Sequence, residues 1–254
     1  MTAPDPTAPP ALDWTEGGAP ISRAYDDVYY SREDGRDETQ HVFLAGNGMP
    51  ERWRGRPRFA IGELGFGVGL NFLTVWRALD ADPEAPARLD YASVEAHPPE
   101  PDAIRRAIAR WPDLEPYAEA LLAAGWPPPP GLSTRTFDRV SLTLWVGDVA
   151  AIPQAWARET EAWFLDGFTP AKNPAMWSAE LMAALAARTA PEGTVATYAA
   201  AGWVRRNLLA AGFAVARRPG YGRKRDMLAG RLSAPPNDPA APDRPNARPA
   251  PPAG

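Results

Sequence analysis

From Arg58 onward the chain repeats one rhythm: a short apolar run, a turn, then a stretch whose apolar residues recur at helical spacing. Residues 58–64, 89–95, 162–166, 194–198 and 213–217 read as strands. Residues 70–79, 100–124 (broken near Trp111-Pro112), 175–188 and 203–211 read as helices. Strands that alternate with helices imply βαβ units, hence a parallel sheet with helices on both faces. Two strand pairs depart from this rule. Residues 133–137 and 140–146 alternate as a hairpin would, and 213–217 is followed by 226–232 with only a short turn around Gly220-Tyr221-Gly222. No crossover helix fits there, so the last two strands must pair antiparallel. The expected fold is therefore α/β and Rossmann-like: a mostly parallel, doubly wound sheet that closes in a C-terminal antiparallel strand pair.

The flanks read differently. Residues 1–12 and 234–254 are rich in Pro and Ala and too poor in apolar residues to pack, so both read as disordered tails. Residues 13–57 are polar and turn-rich, with β-like pieces at Asp26-Asp-Val-Tyr-Tyr30 and His41-Val-Phe-Leu44, and read as a β-rich, hairpin-bearing extension. Residues 58–233 then form the main domain.

Composition excludes several classes of function. There is no cysteine among the 254 residues, so there is neither a disulfide nor a thiolate site. No apolar run reaches the roughly 18 residues of a membrane span, and the N-terminus lacks the order of a signal peptide. With 27 basic and 31 acidic residues the net charge is −4, so any polyanion must be met by a local patch. Only Lys172 and Lys224 are lysine, and the abundance of Arg, Pro and Ala reflects G+C-rich codons. Arginine richness alone is thus no sign of RNA recognition.

Three segments carry chemistry. The first is Glu63-Leu-Gly65-Phe66-Gly67-Val-Gly69-Leu-Asn71, a glycine-rich turn between a strand and a helix, where the backbone can approach a ligand closely. Glu63 just before the turn disfavours a pyrophosphate and suits a sulfonium, an ammonium or ribose hydroxyls. The next strand ends in Glu95, farther from the glycines than the ~20 residues usual for NAD. Together these favour S-adenosylmethionine over NAD. Asp148, after a third strand, either meets an adenine amino group or caps a helix over 150–157.

The second segment is Trp163-Phe-Leu-Asp166-Gly-Phe168-Thr-Pro170-Ala-Lys172-Asn173-Pro174, at the carboxyl end of an apolar strand, where open α/β sheets bind ligands. Its Asp-aromatic-Pro order resembles the loop with which amino methyltransferases hold a nitrogen's hydrogens. The third segment, 201–231, is strongly basic, with Arg205, Arg206, Arg223, Lys224 and Arg225 as phosphate contacts and Tyr221 or Trp203 for base stacking; the alternative is a solvated face. His41 and His97 are isolated and read as structural or exposed, and no cluster has metal-ligand spacing.

Taken together, Asp26–Ser31, Glu38-Thr39 with Val42–Leu44, Glu63–Leu73, Trp163–Pro174, Ala201–Arg206 and Gly220–Leu228 resemble the methyltransferase part of the MnmC/MnmD family, which acts on 5-(aminomethyl)-2-thiouridine in tRNA. The resemblance runs from about Trp14 to Leu232. It implies a class I methyltransferase fold and N-methylation of the primary amine of 5-aminomethyl(-2-thio)uridine at the wobble position, with S-adenosyl-L-methionine as donor and the anticodon stem-loop as partner. The sequence ends in a Pro/Ala tail where bifunctional members continue into an FAD oxidase, so FAD is not expected; nor is a metal, since methyl transfer from a sulfonium needs none and no cluster has ligand spacing. A separate oxidase or the upstream wobble-uridine enzymes would act in trans on a monomeric, cytoplasmic enzyme without membrane contact.

On this reading Asp166, Phe168 and Pro170 are catalytic. Glu63, Gly65, Phe66, Gly67, Gly69, Asn71, Glu95, Asp148 and Asp166 hold the cofactor. Asp27, Tyr29, Lys172, Asn173 and the basic residues above hold the substrate. The rivals are a small-molecule amine N-methyltransferase, which would show no salt-dependent tRNA binding, and a non-catalytic RNA- or nucleotide-binding domain.

Overall fold

The computed structural model describes residues 9–152, 156–157 and 159–233. Residues 1–8 of the expected tail 1–12 and the whole of the tail 234–254 lie outside them, as do three residues, 153–155, of the helix considered over 150–157. Leu12, assigned to the N-terminal tail by composition, instead begins a strand.

Three short strands, β1 (Leu12–Trp14), β2 (Pro20–Ser22) and β3 (Asp27–Val28), form a small antiparallel sheet. After helix α1 (Gly35–Glu38), a wide π-type helical turn spans Thr39–Leu44. The β-like reading of His41–Leu44 is therefore corrected. Four residues cannot distinguish a period of 2 from one of 3.6. What decides the matter is that Val42, Phe43 and Leu44 are all buried, Phe43 stacking on Phe164 at 5.3 Å between ring centres.

The main sheet has eight strands: β4 (Arg58–Leu64), β5 (Arg88–Glu95), β6 (Gly131–Phe137), β7 (Val140–Val146), β8 (Thr160–Leu165), β9 (Thr189–Thr197), β10 (Phe213–Pro219) and β11 (Asp226–Leu232). Their spatial order is β10-β11-β9-β8-β4-β5-β7-β6. The run β9-β8-β4-β5-β7 is parallel throughout, β6 pairs antiparallel with β7, and β11 is antiparallel to both β9 and β10. The closing antiparallel pair is as expected, but the later strand inserts between β9 and the earlier one. β10 thus points the same way as the parallel strands, and the turn after it lies at their carboxyl ends.

Strand order reverses between β4 and β8, which pair in register from Ile61 with Ala162 to Leu64 with Leu165. Such a switch point opens a crevice beyond the strand ends. Both strands are covered on both faces, which is why they read as continuous apolar runs. Ala162 and Phe164 face a core with α2 (Leu70–Ala81), α4 (Glu115–Ala123) and the turn 39–44. Trp163 and Leu165 face a second core with α5 (Ala179–Ala186) and α6 (Gly202–Ala210).

Asn47 fastens the N-terminal segment to the sheet. Its amide donates to the Phe43 and Trp163 carbonyls at 2.9 and 3.2 Å, and its Oδ1 accepts from the Thr194 hydroxyl at 2.6 Å. Asn47→Ala removes these hydrogen bonds to Phe43, β8 and β9, and should cost about 1–3 kcal/mol by urea denaturation. An unchanged midpoint would show that the segment and sheet are uncoupled.

Candidate active site

A cavity of about 770 Å³ opens at the carboxyl ends of β4, β5, β7 and β8, within the range of about 300–1,000 Å³ usual for ligand sites. It is built on the strand-to-helix turn 65–69. Gly65 has φ +87°, and a Cβ there would lie 2.5 Å from the carbonyl oxygen of Asp166. The glycine is thus required twice, for a left-handed conformation and because the next strand's loop passes against it. A Cβ on Gly67 would touch the Tyr29 ring at 3.0 Å.

Behind the turn lies a chain of buried polar groups. The Asn71 amide donates one hydrogen to Glu63 Oε1 at 2.9 Å and the other to Asp166 Oδ2 at 2.7 Å. Its carbonyl oxygen lies 2.6 Å from the Thr39 hydroxyl, which sets the amide's orientation. Ser93 donates to Glu63 Oε2 at 2.6 Å. Glu63 is fully buried, and burial raises its pKa to about 8 despite the hydrogen bonds from Ser93 and Asn71. Asp166 lines the cavity. Burial in the wall and then the nearby Glu38 charge raise it to about 7, against the Asn71 hydrogen bond, the Lys224 charge and the Gly167 N–H.

Glu95 also lines the cavity, accepting from Gly67 N at 2.8 Å and His97 N at 2.9 Å; burial lifts it to about 7. Asp148, at the end of the neighbouring strand, lines the cavity and also caps a short turn through Ala150 N at 2.8 Å. Of the two alternatives weighed for it in the sequence, the capping one is met by a short turn, Val149–Ala151, rather than by a helix over 150–157.

The loop after β8 is strapped down by the N-terminal segment. Thr169 N donates to Asp27 Oδ2 at 2.7 Å, and Lys172 pairs with Asp26 at 3.3 Å. Phe168 is stacked by Tyr25 at 4.6 Å and met edge-on by Tyr29 at 5.2 Å. One face of Phe168 is thereby already covered by protein.

Of the expected residues, Gly65, Phe66, Gly67, Asn71, Glu95, Asp148, Asp166 and Phe168 line the cavity, with Asp27, Tyr29, Asn173 and Lys224. Others do not. Glu63 sits behind Asn71 rather than facing a ligand. Gly69 starts α2 under the Phe66 ring, and Pro170 is buried in the loop. Lys172 is spent on Asp26. Tyr221 lies beside His41. Arg205, Arg206, Arg223 and Arg225 lie outside the cavity; among the described residues only Arg223 of these four forms an ion pair, with Glu33 at 3.5 Å. The sequence reading missed Glu38, Thr39, Tyr198 and His97, all lining the cavity. Glu38-Thr39 was visible as part of a family motif, but its inward direction depends on the helical turn misread as strand.

A family model described as S-adenosyl-L-methionine-dependent methyltransferase matches residues 112–233. Over 237 residues, 91% of this chain, the sequence is 52% identical to the tRNA 5-methylaminomethyl-2-thiouridine biosynthesis bifunctional protein MnmC of Ectopseudomonas mendocina. The family-model match takes in a little under half of the chain, and that part is similar to the S-adenosyl-L-methionine-dependent methyltransferases. The MnmC protein of Pseudomonas aeruginosa is 50% identical over 249 residues, 96% of this chain. The alignments cover 36% and 38% of those two proteins, so the chain spans little more than a third of their length. Among solved structures, MnmC2 from Aquifex aeolicus superposes with a TM-score of 0.68 at 23% identity, covering 90% of this chain and 72% of that one, and shares its fold.

The cavity suits the methyltransferase family's donor. Carboxylates from adjacent strand ends, Glu95 and Asp148, offer acceptors to ribose hydroxyls and an amino group, beside the apolar Phe66, Val94 and Val149.

Glu63 yields a pH signature of the buried chain. Unfolded, a glutamate titrates near ~4.3; folded, this one titrates at about 8, so the native state binds the proton more tightly. Its stabilising share is complete below the unfolded value and is lost as pH rises through about 8. Glu63→Gln should therefore lessen the fall of Tm over that interval, measured by thermal melts. An identical slope in both proteins would refute the assignment.

Proposed function

We propose that the chain transfers a methyl group from S-adenosyl-L-methionine to the primary amine of 5-aminomethyl(-2-thio)uridine at the wobble position of tRNA. The observation that carries this reading is Asp166, set at the switch point with each carboxylate oxygen already accepting one hydrogen bond. Oδ1 accepts from Gly167 N at 3.0 Å and Oδ2 from Asn71 at 2.7 Å. One lone pair per oxygen is left to hold an amine's hydrogens. The names of the relatives supply the nucleoside.

When bound, the cofactor supplies a methyl group on a sulfonium, an electrophile that needs no metal. The residues' task is alignment, which can account for much of the rate. Glu95 and Asp148 hold the nucleoside part, and the turn 65–67 lets it lie close to the backbone. Asp166 orients the amine and, with a pKa near neutrality, takes the proton that the amine must lose to present a lone pair. A carboxylate also favours the ammonium form of a neighbouring amine, so Asp166 acts by holding and receiving rather than as a strong base. Phe168, braced by Tyr25 and Tyr29, walls the reacting centre.

The RNA surface lies beside the cavity. Arg217 and Arg218 end β10, and Arg225 follows in the turn at the same end of the sheet. All three are exposed, and none forms an ion pair among the described residues. Arg205 and Arg206 of α6 are likewise unpaired. Cations without internal partners are available to phosphates, while the wobble base, in a single-stranded loop, can be turned out at little cost. The catalyst would work in the cytoplasm on an aminomethyl group supplied by another enzyme.

Two measurements test this. With labelled donor and tRNA from cells lacking the gene, Asp166→Ala should abolish methyl incorporation while donor binding falls only modestly; near-wild-type turnover would refute the role. Arg217→Ala with Arg218→Ala should weaken tRNA binding and lower the slope of log K against log salt by about 2. An unchanged slope would leave these arginines as a solvated face.

A further inference from the structure

Three cavity groups outside the proposed mechanism, Lys224, Glu38 and Tyr198, lie together. Lys224 was expected among the phosphate contacts, yet its ammonium turns inward. Nζ lies 2.6 Å from Glu38 Oε1 and 3.7 Å from the centre of the Tyr198 ring. Glu38 is almost fully buried, and its other oxygen accepts from Ser31 N at 3.2 Å. Tyr198 is fixed by donating its hydroxyl hydrogen to the Gly167 carbonyl, one residue after Asp166. Glu38, Tyr198, Lys224 and Asp166 all line the same cavity.

A buried carboxylate beside an aromatic face is a site for a cation, and here a primary alkylammonium is seated in it. The proposed substrate carries the same chemical group on a methylene. We propose that Glu38 and the Tyr198 ring form an ammonium subsite beside Asp166, filled by Lys224 in the free protein and taken over by the substrate's aminomethyl group.

The exchange costs little charge separation, because one ammonium replaces another on Glu38. Lys224 follows Arg223 in the exposed turn between β10 and β11, so on leaving the cavity its ammonium joins the arginines at the rim, where RNA phosphates lie. Arrival of RNA and opening of the subsite are thereby linked. A neutral hydroxymethyl group would leave Glu38 without a cation, so the subsite selects amine over alcohol. Amine bound at Glu38 and Tyr198 then passes to Asp166 for reaction.

This inference rests on the proposed tRNA reading, and the test separates the two. Anticodon stem-loop RNAs carrying 5-aminomethyluridine or 5-hydroxymethyluridine at the wobble position are bound to the full chain, and their Kd values compared. The wild type should prefer the amine. Glu38→Gln, which keeps an acceptor for Ser31 N, should reduce that preference roughly ten- to a hundredfold. Lys224→Met, which removes the internal competitor, should raise it severalfold, and decides the matter if the Glu38 variant does not fold. An unchanged preference in either folded variant, or an equal weakening of both RNAs by Lys224→Met, overturns the subsite and returns Lys224 to phosphate contact. If the wild type binds donor but methylates neither RNA, the tRNA reading itself fails. If it methylates the amine RNA while Glu38→Gln keeps the wild-type preference, the subsite alone is wrong.

Discussion

Everything at the mouth of the sheet depends on one amide. Asn71, at the start of α2, uses both nitrogen hydrogens to join a carboxyl group from β4 to one just past the end of β8. Those strands meet where the winding direction reverses, so their ends are free of crossover chain and open to a ligand. Two unpaired carboxylates this close in a low-dielectric wall would repel. The amide between them, with burial holding Glu63 neutral at ordinary pH, lets Asp166 alone carry the charge. Thr39 in turn fixes the amide, so the orientation of Asp166 is set by three segments far apart in sequence.

The N-terminal segment is consequently part of the site. It supplies Thr39 to the polar chain, Glu38 to the cavity wall, Tyr25 and Tyr29 to brace Phe168, Asp27 to hold the loop backbone at Thr169 and Asp26 to hold the Lys172 ammonium. A loop that must present one carboxylate to within a few tenths of an ångström needs such bracing. Lys172 and Asp27 therefore serve the loop's rigidity through their partners, Asp26 and Thr169.

Charge is arranged in two layers. Inside, Glu38 with Lys224, Asp166 and Glu95 form a compact acidic lining, in which burial shifts the titration of Asp166 and Glu95 toward neutrality. Outside, at the end of the sheet, lie the exposed Arg217, Arg218 and Arg225, which form no ion pair among the described residues, in a protein of net charge −4. The bulk value hides both layers, because carboxylates elsewhere are paired with other arginines, as Asp113 is with Arg36 and Arg77.

Fold class, the glycine turn, Glu95, Asp148 and the Asp166 loop were legible in the sequence because each depends on local periodicity or on position at a strand end. The antiparallel closing pair was legible too, since a short turn allows nothing else. Other features depended on long-range contacts. The place of β11 between β9 and β10, the helical state of 39–44, the retreat of Glu63 behind Asn71 and the inward turn of Lys224 each depend on which distant side chain occupies the neighbouring space. Sequence spacing describes faces and turns; only packing determines which polar group reaches the cavity and which is buried behind it.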